Sequence, residues 1–562
     1  MAAEKIPTSS QPGHEADSRV SSWIGSESGP YRCVAAILIV TAAVYLRCLG
    51  NQFVDDDLDL IVHNRYLGDW SYIWKSLIYD SAWFNNPNFL PQSPDYRPLL
   101  DLWLWFNFHL FGLHPAGWHL AMIALHLLVT WLVFQVASLL ARDKWTGVLA
   151  AALFALMPLN AEAVVWPAAI AYLLNAAFEL GALSAFLRTR EDSESPKQHR
   201  LSALSLGLYA GALLSHESAI AFPVLIAAYA FIFSGEESEH REYSANGTGT
   251  AIFDRMRDAI IAVWPYALEA IIYLGVRLQV LGFISRPNAF NPRPYTLGEI
   301  LPQIPGVIGR DLMLLLMPWQ AGPAHPMRFA FGFGWPEFYL PAAALIALCA
   351  VGFAALRNHS HRRVYLFCAA WFAIALTPML NLNGLFVLGL IQDRYLYFPS
   401  IALCVMIADI ATSFAGRGDV QAKVVWIGAT AVAVIYVVAL SSVEIYWRDE
   451  IALLSRCVEE VPDAVGCLSR LGAEYAARGD YINARDKLEA ANSLETGKPF
   501  APSPSADVLY NLGVVYEHLG EPAKAEDAFA RAAALPGASR AAFAAREHLR
   551  SRYGNNQNGA SH

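Results

Sequence analysis

Long apolar runs constrain this chain more than any other feature. Runs near the roughly 20-residue length needed to cross a bilayer recur at 31–50, 116–140, 146–163, 168–187, 200–215, 217–234, 259–279, 338–356, 364–380, 396–414 and 422–443. They predict about 11 spans. Only 16% of the 562 residues are charged and 55% are hydrophobic, against about a quarter charged in soluble domains. The continuous apolar stretch at 200–234 is cut by Ser215-His216-Glu217, which is too polar for mid-bilayer and predicts an interfacial turn. The first 30 residues are polar and rich in Ser and Gly, so they are expected to be disordered. The net charge of −9 comes with no basic patch, which argues against a nucleic-acid partner.

Lys and Arg set the orientation. With the N-terminus inside, cytoplasmic connections hold Arg142, Lys144, Arg188, Arg190, Lys197, Arg200, Arg241, Arg255, Arg257, Arg357, Arg362, Arg363, Arg417 and Lys423. The short outer loops near residues 160, 216 and 385 hold only Arg394. An odd number of spans puts the C-terminal region outside. The apolar stretch at 304–318 reads as interfacial, since a twelfth span would invert the later charge bias.

Periodicity of another kind follows residue 445. Leu509, Leu512, Gly513, Tyr516, Ala525, Phe529 and Ala532 stand at the positions of a tetratricopeptide repeat. Leu468, Leu471, Gly472, Tyr475, Ala484, Leu488 and Ala491 repeat the pattern upstream, with KPFAPSP as an insertion between the copies. Such arrays usually bind protein or peptide, with packing or oligomerisation as the alternative. The expected division is a disordered 1–30, a polytopic 31–445 with a first outer loop at 51–115, repeats at 446–552, and a disordered tail at 553–562. Cys457 and Cys467 flank the Pro462-Asp463 turn; they are either a disulfide, if the compartment is oxidising, or two separate thiols.

Polar groups collect at the outer ends of the spans. Asp55, Asp56 and Asp57 follow the first span. Adjacent carboxylates repel, so three beside an aromatic segment suggest a site, either a general base or a divalent-cation site. Glu162 and His216-Glu217 lie at two further outer edges. Arg394, in Gln392-Asp393-Arg394-Tyr395, breaks the outer charge bias and calls for an anion, either Asp393 or a lipid phosphate. Arg310 is a weaker candidate of the same type.

The order N-x-F-V-x-D-D, Y-R-P-L (with Arg97), P-L-x-x-E-A-V, a pair ending in Glu217, D-R-Y-L-Y-x-P-S and then tetratricopeptide repeats resembles the transmembrane, tetratricopeptide-repeat-containing O-mannosyltransferases and their bacterial relatives. The resemblance runs from about Tyr31 to Arg550. It implies an all-α polytopic bundle of the type C glycosyltransferases, followed by a tetratricopeptide α-solenoid. It implies an inverting transfer of a sugar, with mannose among the candidates, from a polyprenyl-phosphate donor to a hydroxyl, Ser or Thr of a protein being the expected acceptor. On this pattern Asp56 is the base, supported by Asp57, and Glu162 is catalytic. Arg394, Tyr395, His216 and Arg310 serve the donor phosphate, and Glu217, Asp55 and Arg97 complete the site. A divalent cation is a candidate cofactor, and the partners are the lipid-linked donor, membrane lipids and a protein or peptide acceptor on the repeats. The expected location is a bacterial inner membrane with periplasmic repeats, or the endoplasmic reticulum with lumenal repeats. Two positions depart from the pattern: Pro167–Tyr172 replaces a polar stretch holding a basic and an acidic residue, and His216 replaces a lysine. The competing reading is a non-catalytic membrane scaffold presenting the repeats for envelope assembly.

Overall fold

The computed structural model describes residues 27–81, 83–85, 95–191, 198–234, 248–283, 296–380, 390–494, 506–535 and parts of 543–551. The N-terminal stretch before residue 27, the 498–504 insertion and the 553–562 tail, all singled out by composition, lie outside them. The described residues form helices joined by short turns, with no strand among them.

Among the described residues seven helices are long and apolar enough to cross a membrane: Gly29–Gly50, Pro115–Ala141, Pro167–Arg190, Ile252–Leu281, Pro336–Ala355, Arg362–Leu380 and Asp419–Trp447. An eighth is added if Lys144–Ala155 and Pro158–Val165, bent by 58° at a break, count as one span. The expected count of eleven is therefore not confirmed among the described residues. The physical reason lies in the breaks. Pro158 has no N–H to continue the helix before it, and 217–234 divides into a tight turn at Glu217–Ala221 and a short helix at Phe222–Phe233. Pro399 likewise opens Pro399–Ala415, which is only 17 residues long. Apolar sequence that reads as span is spent on turns at one face of the bundle. Ile304–Leu316, at 13 residues, is also shorter than a span.

Burial separates inner helices from lipid-facing ones. The apolar window of Pro167–Arg190 is 78% buried, whereas that of Pro336–Ala355 holds no buried residue. Leu340, Ile346, Val351 and Phe353 on the latter point away from protein, as side chains facing acyl chains do. The buried helix carries Tyr172, Asn175 and Glu179 inward. Asp143 caps Lys144–Ala155 by accepting the Thr146 N–H at 2.8 Å.

The repeats form two helix pairs, Val465–Ala477 with Tyr481–Ser493 and Ala506–His518 with Pro522–Ala534. Within each pair a glycine sets the approach. A Cβ on Gly472 would lie 2.6 Å from Leu488, and one on Gly513 would lie 2.5 Å from the Phe529 ring. Before the pairs, Glu450–Glu460 feeds from the last long helix, and a Cys457–Cys467 disulfide joins it to Val465–Ala477. Gly513→Val is expected to destabilise the second pair by about 1–3 kcal/mol through overpacking, measured as earlier proteolysis at 506–535 with the membrane helices unaffected.

Candidate active site

The acidic motif leaves the first span at Asn51 and is pinned to the turn after Pro158. Asp57 is fully buried, with Oδ1 accepting the Ala168 N–H at 2.7 Å and Oδ2 the Val54 N–H at 3.1 Å. The Trp166 indole donates to the Val54 carbonyl at 3.2 Å. Burial pushes the Asp57 carboxyl well up, and the two amides pull it back. Both its oxygens are occupied, so Asp57 acts as a strut. The uncharged Pro167–Tyr172 stretch thus contributes a backbone donor where side-chain charge was expected.

Asp56 differs from its neighbours. It is exposed and its carboxylate makes no hydrogen bond among the described residues. Partial desolvation, then the Asp55 carboxylate, push its carboxyl up to about 6, while Arg394 and Arg470 oppose the rise. Asp55 occupies the left-handed region at φ 54° and pairs with Arg470 of the first repeat helix.

Glu162 is 1% exposed. It accepts the Arg394 backbone N–H at 2.9 Å and a second bond from the Arg394 guanidinium. Arg394 also gives Nη1 to Gln392 at 2.8 Å and lies 4.9 Å from the Trp166 ring centroid and 5.2 Å from that of Tyr395. Its Nε and Nη2 groups make no hydrogen bond among the described residues. Glu162, expected among the catalytic residues, thus has its carboxylate directed at Arg394. Arg97 and Glu217 form a second, two-pronged pair, Nε to Oε2 at 2.9 Å and Nη2 to Oε1 at 2.8 Å. The Tyr172 ring touches those of His216 and Tyr395, at 4.6 and 6.0 Å between centroids.

Two further expected phosphate-site residues have other partners in the structure. His216 Nδ1 accepts the Ser218 N–H at 3.1 Å, and burial pushes the imidazole down to about 3, so the ring is neutral and not a cation. Arg310 hydrogen-bonds Gln320 at 3.2 Å and Met313, and not the acidic cluster. The alternative that Asp393 answers Arg394 also fails. Asp393 is buried against the Gly322 N–H at 2.8 Å and His325 Nε2 at 2.7 Å. Among the described residues no three His, Cys, Asp or Glu side chains converge as metal ligands. The acidic motif does not fit a cation either, because Asp57 holds amides and Asp55 holds Arg470.

Arg394 and Tyr395 open onto a small cleft, whose wall also carries Asn175, Glu179, Ser218 and Phe222. Glu179 was not singled out from sequence, although a carboxylate inside an apolar run is the signal that finds it. His325 and Arg470 gave no such signal.

Fold and site together define a multi-pass helical membrane protein with a polar, carboxylate- and arginine-bearing face beside tetratricopeptide repeats. The tetratricopeptide repeat family model matches residues 506–535. The chain is similar to protein O-mannosyl-transferase TMTC3 of Mus musculus, 24% identical over 92% of this chain and 57% of that protein. It is similar to protein O-mannosyl-transferase TMTC4 of the same organism, 26% identical over 70% of this chain and 57% of that one. It spans little more than half the length of these relatives. Among solved structures it is similar to the archaeal oligosaccharyltransferase AglB from Archaeoglobus fulgidus in complex with an inhibitory peptide and a dolichol-phosphate, at TM-score 0.36 and 14% identity, over 89% of this chain and 64% of that one.

The His325–Asp393 pair carries a pH prediction. Burial disfavours the charged imidazole, but Asp393 outweighs it and holds His325 above its ordinary 6.5. The stabilisation is therefore full below that ordinary value and is lost as pH rises through the raised one. Thermal unfolding from pH 5 to 9 is expected to show a fall in wild-type stability that His325→Gln abolishes.

Proposed function

We propose that the chain is an inverting membrane glycosyltransferase that moves a sugar from a polyprenyl-phosphate donor to a hydroxyl of a protein acceptor, on the side of the membrane that holds the repeats. The observation that carries this reading is Asp56, the one carboxylate of the acidic motif left without a hydrogen-bond partner among the described residues, within electrostatic reach of Arg394. In the proposed step Asp56 takes the acceptor hydroxyl proton. The oxygen bonds to the anomeric carbon from the face opposite the leaving group, and the sugar–phosphate bond breaks with its electron pair going to the polyprenyl phosphate. The free Nε and Nη2 donors of Arg394 meet the charge that develops there. Tyr395 and the apolar wall of the cleft suit the first units of an isoprenoid chain. Mannose is the sugar suggested by the names of the relatives. The repeats recruit the acceptor polypeptide.

The orientation follows the Lys and Arg bias of the loops. The Cys457–Cys467 disulfide supports an oxidising compartment for the repeats, and the acidic motif lies on the same side because Asp55 contacts Arg470. A bacterial inner membrane with periplasmic repeats is the proposed location.

The test is sugar transfer by purified protein from labelled polyprenyl-phosphate sugars to outer-compartment protein. Asp56→Asn is expected to lower kcat by about 10²–10⁴-fold. Because the ionised form is the base, the wild-type rate is expected to fall as pH drops below about 6. No turnover by folded wild-type protein with any donor, while the repeats still bind protein, would establish the scaffold instead.

A further inference from the structure

Arg470 sits on Val465–Ala477, the first repeat helix, 415 residues from Asp55, yet it donates to the Asp55 carboxylate. Its Nη2 also donates to Glu450 Oε1 at 2.7 Å. The other oxygen of Glu450 accepts the Asp55 backbone N–H at 2.9 Å. Beside them the Gln52 N–H donates to the Arg448 carbonyl at 2.9 Å. Side chain and amide of Asp55 are thus both held from the segment that begins the repeats. The residue so held has φ 54°, a region where L-residues other than glycine rarely sit. The next residue is Asp56.

We propose that Arg470 and Glu450 form a clamp through which the repeat domain positions Asp56, so that the repeats are part of the catalytic scaffold as well as an acceptor platform. The clamp rests on the reading of Asp56 as the base. Its geometry supplies the reason. A residue in the left-handed region turns the chain sharply, so the conformation of Asp55 sets the direction in which Asp56 leaves the backbone. Without its two restraints Asp55 relaxes toward the ordinary regions and Asp56 turns away. An isolated surface ion pair contributes little, but this one is a three-membered network. Arg470 is half-exposed, whereas Glu450 is 12% exposed and also caps a strained amide.

The clamp also has an electrostatic consequence. The charged groups acting on Asp56 are Asp55 and Asp59 of its own segment, Arg394 of the 393–396 turn, and Arg470 of the repeats. Removing Arg470 leaves two carboxylates against one guanidinium. Ionisation of Asp56 then becomes harder, and the acid limb of the rate moves to higher pH.

The experiment uses full-length protein in detergent micelles, with labelled polyprenyl-phosphate sugar and a short Ser/Thr peptide, so that recruitment by the repeats is bypassed. Arg470→Met is expected to lower kcat about tenfold, with both KM values within about twofold, since misplacement of a reacting group acts on turnover. Its acid limb is expected to shift up by about half a pH unit. Arg470→Lys keeps the charge and is expected to keep the limb while losing part of kcat. Amide exchange at 51–59 is expected to quicken about tenfold in Arg470→Met, with exchange at 465–534 unchanged. Unchanged kcat, limb and exchange would overturn the clamp, as would a rise in KM alone. If wild-type protein turns over no donor, the glycosyltransferase reading fails, and exchange at 51–59 alone decides whether Arg470 holds the loop.

Discussion

The pair between Glu162 and Arg394 is the contact on which the rest of this face depends. A carboxylate 1% exposed at the edge of an apolar bundle is costly unless its charge is met at close range. Arg394 meets it twice, through its backbone N–H and its guanidinium, across 232 residues of sequence. That fixes the turn after Pro158 against the turn before Pro399. The first turn then offers the Ala168 N–H to Asp57 and the Trp166 indole to Val54, which sets the acidic loop. The loop in turn reaches the repeats through Asp55. These contacts form one connected framework, and a substitution at Glu162 disturbs it.

The same framework explains how so many carboxylates share one face. Adjacent aspartates are unfavourable in isolation, and here each has a different counterpart. Asp57 has two amides, Asp55 has Arg470, Glu162 has Arg394 and Glu217 has Arg97. Asp56 is left over. The division is between carboxylates that hold structure and one that remains available for chemistry. A motif of three aspartates in sequence does not reveal which is which, because the assignment depends on donors from distant segments.

The legible part of this protein is the part that sequence period encodes. The long apolar runs, the small residues at Gly472 and Gly513, and the acidic motif all announce themselves locally. The span count does not, because an apolar composition is common to a spanning helix and to a buried turn, and Pro158 and Ser215-His216-Glu217 convert one into the other. Partner choice is equally hidden. Asp393 is the nearest carboxylate to Arg394 in sequence, but neighbouring residues on a helical turn point to different sides, and Asp393 turns to His325 while Arg394 turns to Glu162. Arg470 sits among ordinary surface charges of the repeats, and nothing in its spacing marks it.

The two departures from the O-mannosyltransferase-like pattern bear on how the proposed donor phosphate would be held. The Pro167–Tyr172 stretch brings no basic side chain, and His216 is a neutral ring whose Nδ1 is already an acceptor. Arg97, Arg277 and Arg394 remain, and each lies in the field of a carboxylate, Glu217 for the first two and Glu162 for the third. Net positive charge is therefore small, and a donor phosphate on the proposed reading is met by directed N–H groups more than by a diffuse field. Glu162 contributes to this by taking Nη1 and the backbone N–H, which leaves Nε and Nη2 aimed elsewhere, with Trp166 and Tyr395 fixing the plane of the guanidinium. Directed donors of that kind suit a phosphate ester bound at one orientation. A site of this design discriminates by geometry, so the loss of nearby charge relative to the family pattern need not entail the loss of phosphate recognition.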